Sequence, residues 1–88
     1  MQAMLDHAKT GSTIKSLVKT LRLLKLFSPQ RNVWTAEDII AALGYHKSSV
    51  QRILATLETE GFLSRVAPRR SEYRLGPDVL FLGNVAEM

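Results

Sequence analysis

The stretch from Thr35 to Gly61, TAEDIIAALGYHKSSVQRILATLETEG, leaves this chain little freedom in how it folds. Its apolar residues recur at helical spacing in two short runs, separated by Gly44-Tyr45. Thr35 stands where an N-cap belongs, and Thr35-x-x-Asp38 is a weaker relative of the capping box, with aspartate in place of the usual glutamate or glutamine. Ile39, Ile40 and Leu43 form the apolar face of the first run, and Gly44 supplies the left-handed residue that ends it. The second run is expected from about His46 to Glu60, closed by Gly61 in the same role. At about 100° per residue, Val50, Ile53, Leu54 and Leu57 fall into one stripe. Ser48, Arg52, Ala55 and Thr59 lie opposite, with Gln51 and Thr56 on the flanks. A helix that packs on one side and can touch base edges on the other is what a helix-turn-helix requires.

The flanking segments extend the pattern. Ser16 is read as the N-cap of a helix from about Leu17 to Phe27, with Leu17, Leu21 and Leu24 on one face and Leu23 and Phe27 beside it. Ser28-Pro29 ends that helix, because the residue before proline avoids the α region, and Val33-Trp34 reads as a short extended piece. After Gly61, Phe62–Val66 and Glu72–Leu75 read as two strands around the basic turn Ala67-Pro68-Arg69-Arg70-Ser71. Tyr73 and Leu75 are expected to pack inward and Arg74 to point outward. Gly76 stops the second strand, Pro77 suits the first turn of a helix, and Asp78 suits its positive end. Helix, strand, helix, helix, strand, strand is the order of a winged helix-turn-helix, with Val33-Trp34 as the third strand at the base of the wing. The expected class is therefore mainly α with a small β-wing: a three-helix core and hairpin over 14–76, then a linker helix over 77–88. Residues 1–13 read as a flexible tail. The apolar residues of Val79–Val85 spread around the whole helix axis, so that helix needs cover from outside an 88-residue chain.

Composition narrows the chemistry. The chain has no cysteine, which removes disulfides, thiolate metal ligands and cysteine nucleophiles together. Its two histidines, His7 and His46, are too few for a metal site without helpers. His46 beside Ser48 and Ser49 imitates a nucleophile with its base, but no third group orients them. No catalytic residue, cofactor or metal is expected. No apolar run approaches the ~20 residues of a membrane span, and the N-terminus lacks a basic-then-apolar signal pattern, so a cytoplasmic setting without membrane partners is expected. The formal net charge is +4. Between His46 and Arg74 six cations (Lys47, Arg52, Arg65, Arg69, Arg70, Arg74) face three anions (Glu58, Glu60, Glu72), and the anions are expected to sit mostly away from the cation-bearing tips. Nucleic acid is the usual partner of such a distribution.

Several spaced blocks carry a resemblance: Ser16-Leu17, Leu21-x-Leu23-Leu24-x-Leu26-Phe27, Gly44-Tyr45-His46-Lys47-Ser48-Ser49-Val50-x-Arg52-Ile53-Leu54-x-Thr56-Leu57, Gly61-Phe62-Leu63 and Tyr73-Arg74-Leu75-Gly76-Pro77. Together, over about Ile14 to Gly83, they resemble the DNA-binding domain of the IclR family of bacterial transcriptional regulators. The family pattern usually has proline where this chain has His46, and often threonine where it has Ser49; neither change breaks the turn. The resemblance implies a homodimer, with a dimer of dimers for the full-length protein. It also implies a larger C-terminal domain after the linker helix, through which alone a small-molecule effector would act. The chain is accordingly expected to be the DNA-binding part of a longer regulator.

The residues expected to touch a double-stranded DNA operator follow from both readings. Lys47, Ser48, Ser49, Gln51 and Arg52 form the groove-facing set, with His46 and Thr56 at its margins. Arginine can bind guanine bidentately and glutamine adenine, while lysine and serine also suit phosphate. Arg69 and Arg70 form a wing tip for phosphates or the minor groove. Thr35 caps its helix and stands near phosphate at that helix's amide end. The alternative is a winged helix that binds protein or RNA. That reading calls for an acidic or apolar third helix or for exposed aromatics, and only Trp34 and Tyr45 qualify, Trp34 being expected to lie largely in the core.

Overall fold

A computed structural model describes residues 13–88; the tail expected over 1–13 lies, apart from Thr13, outside the described residues. The order is α1 (Lys15–Leu24), β1 (Trp34–Thr35), α2 (Ala36–Leu43), α3 (Lys47–Thr59), β2 (Leu63–Arg65), β3 (Glu72–Leu75) and α4 (Pro77–Ala86). The three strands form one antiparallel sheet in the order β1-β3-β2. This is a winged helix: a three-helix core with a hairpin whose inner strand is backed by β1. No helix among the described residues is long and apolar enough to cross a membrane.

The core is built from one to three side chains of each of five elements. Leu23 of α1, Ala36 and Ile39 of α2, Val50, Leu54 and Leu57 of α3, Leu63 of β2 and Tyr73 of β3 are buried together. Trp34, Tyr45, Ile53 and Phe62 pack around them half-buried. No buried polar or charged residue occurs among the described residues, so apolar burial carries the fold.

The α2–α3 unit matches its sequence pattern closely. The Asp38 amide donates to Thr35 Oγ1 at 3.0 Å, capping α2. The reciprocal half of a capping box is not made, because the Asp38 carboxylate takes the Arg31 guanidinium instead. Gly44 leaves α2 at φ 70°, and His46, extended at φ −61° and ψ 141°, is the N-cap of α3. At the far end the Phe62 amide donates to the Leu57 carbonyl at 2.8 Å and the Gly61 amide to the Glu58 carbonyl at 3.2 Å, with Gly61 at φ 81°. Those two bonds are a Schellman closure, which only a left-handed residue at Gly61 permits.

Three expectations are corrected. Helix α1 starts after Ile14 with no side-chain cap, and Ser16 sits inside its first turn. It ends at Leu24, after which Leu26 and Phe27 donate to the carbonyls three residues back, tightening the chain before Pro29. The second correction concerns its faces. Leu17 and Leu21 remain 51% and 49% exposed while Leu23 is fully buried, because they stand on the opposite face of α1. At about 100° per residue, Ile14, Leu17 and Leu21 point away from Leu23, and Lys15 and Lys19 point with it. The third is Leu75, expected inward with Tyr73 but 39% exposed. Strand β1 pairs only with Tyr73 and Glu72, so the sheet has run out beside Leu75.

Candidate nucleic-acid interface

Helix α3 presents the surface that the sequence pattern demands. Val50, Leu54 and Leu57 are buried, Ile53 is half-buried, and Ser48, Gln51, Arg52, Ala55, Thr56 and Thr59 are exposed. His46, Lys47 and Ser48 are open at its N-terminal end, whereas Ser49 is half-buried on the side facing α1. No side chain caps α3, and the Lys47, Ser48 and Ser49 amides have no backbone partner among the described residues. The positive end of the helix dipole therefore faces outward with its donors available. Toward the wing, Gln51 and Ala55 border a shallow cleft of about 310 Å³ shared with Ser71 and Tyr73.

Not every expected contact residue is equally able to act. Thr56 donates its hydroxyl proton to the Arg52 carbonyl at 2.9 Å, which leaves it only an acceptor toward a ligand. Thr35 is the reverse: its oxygen accepts from Asp38, so its proton remains available. Arg69 and Arg70 are exposed at the wing turn, which the Arg70 amide closes by donating to the Ala67 carbonyl at 3.1 Å. The anions are not, however, remote from the wing cations. Glu72 lies 3.6 Å from the Arg70 guanidinium, since the Val66–Glu72 backbone bond holds Glu72 at the base of the turn. Glu58 of α3 takes both oxygens to Arg65 Nε at 3.2 Å.

That last pair reveals a residue the sequence reading missed as a brace. Arg65 bonds Glu58, reaches the Arg70 carbonyl at 3.4 Å and stacks over Tyr73, its guanidinium carbon 5.3 Å from the ring centre. It ties the wing to α3. Lys15 and Lys19 were also missed, and their signal was available: with Leu23 they stand at i, i+4 and i+8, one face of α1. The two aromatics that an RNA reading needs are covered on one face. Arg31 lies over Trp34 at 3.6 Å and Lys19 over Tyr45 at 5.1 Å, and Trp34, expected largely in the core, is half-buried against it.

The sequence model of the IclR helix-turn-helix domain matches residues 16–67, from α1 through α3 into the wing. The chain belongs to the IclR family. Members of this family are transcriptional regulators carrying a helix-turn-helix DNA-binding domain, and they are not enzymes. The chain is 34% identical over 71 residues to the glycerol operon regulatory protein of Streptomyces griseus, covering 81% of this chain and 28% of that one. It is 37% identical over 71 residues to the HTH-type transcriptional regulator KipR of Bacillus subtilis, covering 81% and 27%. Its fold superposes on an IclR transcriptional regulator from Alicyclobacillus acidocaldarius with a TM-score of 0.76 at 35% identity, covering 84% of this chain and 30% of that one. The IclR-type domain seen here thus spans less than a third of the length of these relatives.

Proposed function

We propose that this IclR-type chain is the DNA-binding part of a bacterial regulator and that α3 enters the major groove of a duplex operator. The observation that carries the reading is the outward face of the 13-residue α3. From Lys47 to Thr56 that face holds lysine, serines, glutamine and arginine but no carboxylate, while its other face is locked into the core. Arg52 and Gln51 read base edges. His46, Lys47, Ser48 and Ser49 contact the operator around the N-terminal end, and Thr56 accepts a hydrogen bond farther along. Arg69 and Arg70 lie on phosphates or in the minor groove beside it, and Thr35 donates to phosphate. Residues 14–76 form the DNA-binding unit, and 77–88 begin a linker helix toward a C-terminal effector-binding domain. The protein acts in the cytoplasm as a homodimer, matching an inverted repeat with half-sites about 10 base pairs, or a multiple, apart.

Selection of bound sites from random duplex DNA tests this. Enrichment of an inverted repeat, competed by the same duplex and not by single-stranded RNA, is the expected result. Equal binding to every duplex, or preference for the RNA, would overturn it.

A further inference from the structure

Between the N-terminal half of α1 and the flank of α3 runs a cleft of about 480 Å³, bordered by Lys15, Lys19 and Arg52. No carboxylate lines it. The ion pairs of the described residues are Arg31–Asp38, Arg65–Glu58 and Arg70–Glu72, so none of the three cleft cations has a carboxylate partner among those residues. Three positive charges converging on an open groove with no internal counter-charge attract an anion from outside. The hydrogen-bonding inventory points the same way. Thr20 and Thr56 give their protons to the Ser16 and Arg52 carbonyls at 2.7 and 2.9 Å. The Ser49 hydroxyl and amide have no partner among the described residues, and they stand in the uncapped first turn of α3. The cleft therefore offers donors and positive charge from two helices, and its nearby carbonyl acceptors are already occupied.

We infer that this cleft holds one backbone phosphate of the DNA duplex, gripped by Lys15 and Lys19 from α1 and by Ser49 with the amide end of α3 from the other side. The inference rests on the reading of α3 as the groove helix and adds α1 to the DNA-binding surface. It divides the work of α3: the ridge of Ser48 and Arg52 faces bases, and the flank of Ser49 faces the sugar-phosphate strand along the groove edge. The outward apolar stripe of α1 fits the same picture, because it lies on the opposite side and leaves the lysines toward the duplex.

The test uses the 88-residue chain, a duplex carrying its selected site, and the variants Lys15→Gln/Lys19→Gln and Lys15→Arg/Lys19→Arg. Affinity is measured across salt concentrations and on duplexes with single phosphates replaced by neutral methylphosphonate. The glutamine variant should lower the salt slope by about one unit, the share of one phosphate, with base preference unchanged, and the arginine variant should restore the slope. One methylphosphonate position should weaken the unmodified chain and leave the glutamine variant unaffected. An unchanged slope overturns the assignment. So does a lowered slope with no phosphate position coupled to the lysines, which makes them diffuse charge only. Should Lys19→Gln unfold the chain by uncovering Tyr45, Lys15→Gln alone, at an exposed position, should lower the slope by a smaller amount and weaken the coupling to the same methylphosphonate position, and no change in either overturns the assignment. If the unmodified chain binds no duplex at all, the groove reading fails first, a result distinct from failure of the cleft.

Discussion

Gly61 and Gly76 meet back to back where α3, the wing and α4 converge. A Cβ on Gly61, at φ 81°, would stand 2.9–3.1 Å from the Asp78 carboxylate. A Cβ on Gly76 would stand 2.3 Å from the Gly61 carbonyl oxygen. The first obstacle is a movable side chain added to a left-handed backbone that costs on the order of 1 kcal/mol for alanine. The second is backbone, held by the Gly76 amide donating to the Phe62 carbonyl at 2.8 Å. Gly61→Ala should therefore lower stability by about 1 to 2 kcal/mol, and Gly76→Ala by about 3 kcal/mol or more. Urea midpoints of the two variants check the ranking, and a milder effect at Gly76 would show that the contact is relaxed in solution. The sequence made the role of Gly61 readable, because a glycine after a helical stripe is a local signal. It could not do so for Gly76, whose constraint comes from a residue fifteen positions away.

At the scale of elements, helix α3 and the wing should give different phenotypes. Arg52→Ala should cost about 1 to 3 kcal/mol on a cognate site and much less on random duplex. Removing Arg69 should weaken both alike and lower the salt slope by about one unit. Arg70→Ala should have the smaller effect of the two wing changes, since Glu72 already offsets part of its charge, and Glu72→Gln should tighten binding. Titrations at several salt concentrations separate these outcomes. Loss of base preference on removing the wing arginines, with preference kept in Arg52→Ala, would exchange the two roles. The α3 stripe and its closing glycine were legible because both lie within one stretch of chain. The faces of α1 were not. Periodicity finds an apolar stripe but does not say whether the core or the outside receives it, and here Leu17 and Leu21 went outside. The pairing of Arg65 with Glu58 and the exposure of Leu75 depend on where a hairpin folds back and where a two-residue strand stops, neither of which the pattern records.

At the scale of the molecule, exposed apolar side chains of the described residues gather on the α1 stripe of Ile14, Leu17 and Leu21 and on helix α4, where Leu80 and Phe81 are 68% and 65% exposed. Exposed apolar patches on a domain this small favour association. Leu80→Ser/Phe81→Ser should shift the sedimentation distribution toward monomer and leave the thermal midpoint nearly unchanged, because these side chains contribute nothing to the buried core. A distribution identical to that of the unmodified chain would clear α4 of this role and leave the α1 stripe to be tested in the same way.

Helix α4 does not hang from the domain by a loose strap. The Asp78 amide donates to the Gly61 carbonyl at 3.1 Å, and the Gly76 amide to that of Phe62, so the first turn of α4 is fastened to the peptides that close α3. With ten residues it is about 15 Å long at 1.5 Å per residue. A sideways load at its far end is accordingly delivered as a torque through those two hydrogen bonds to the turn that closes α3.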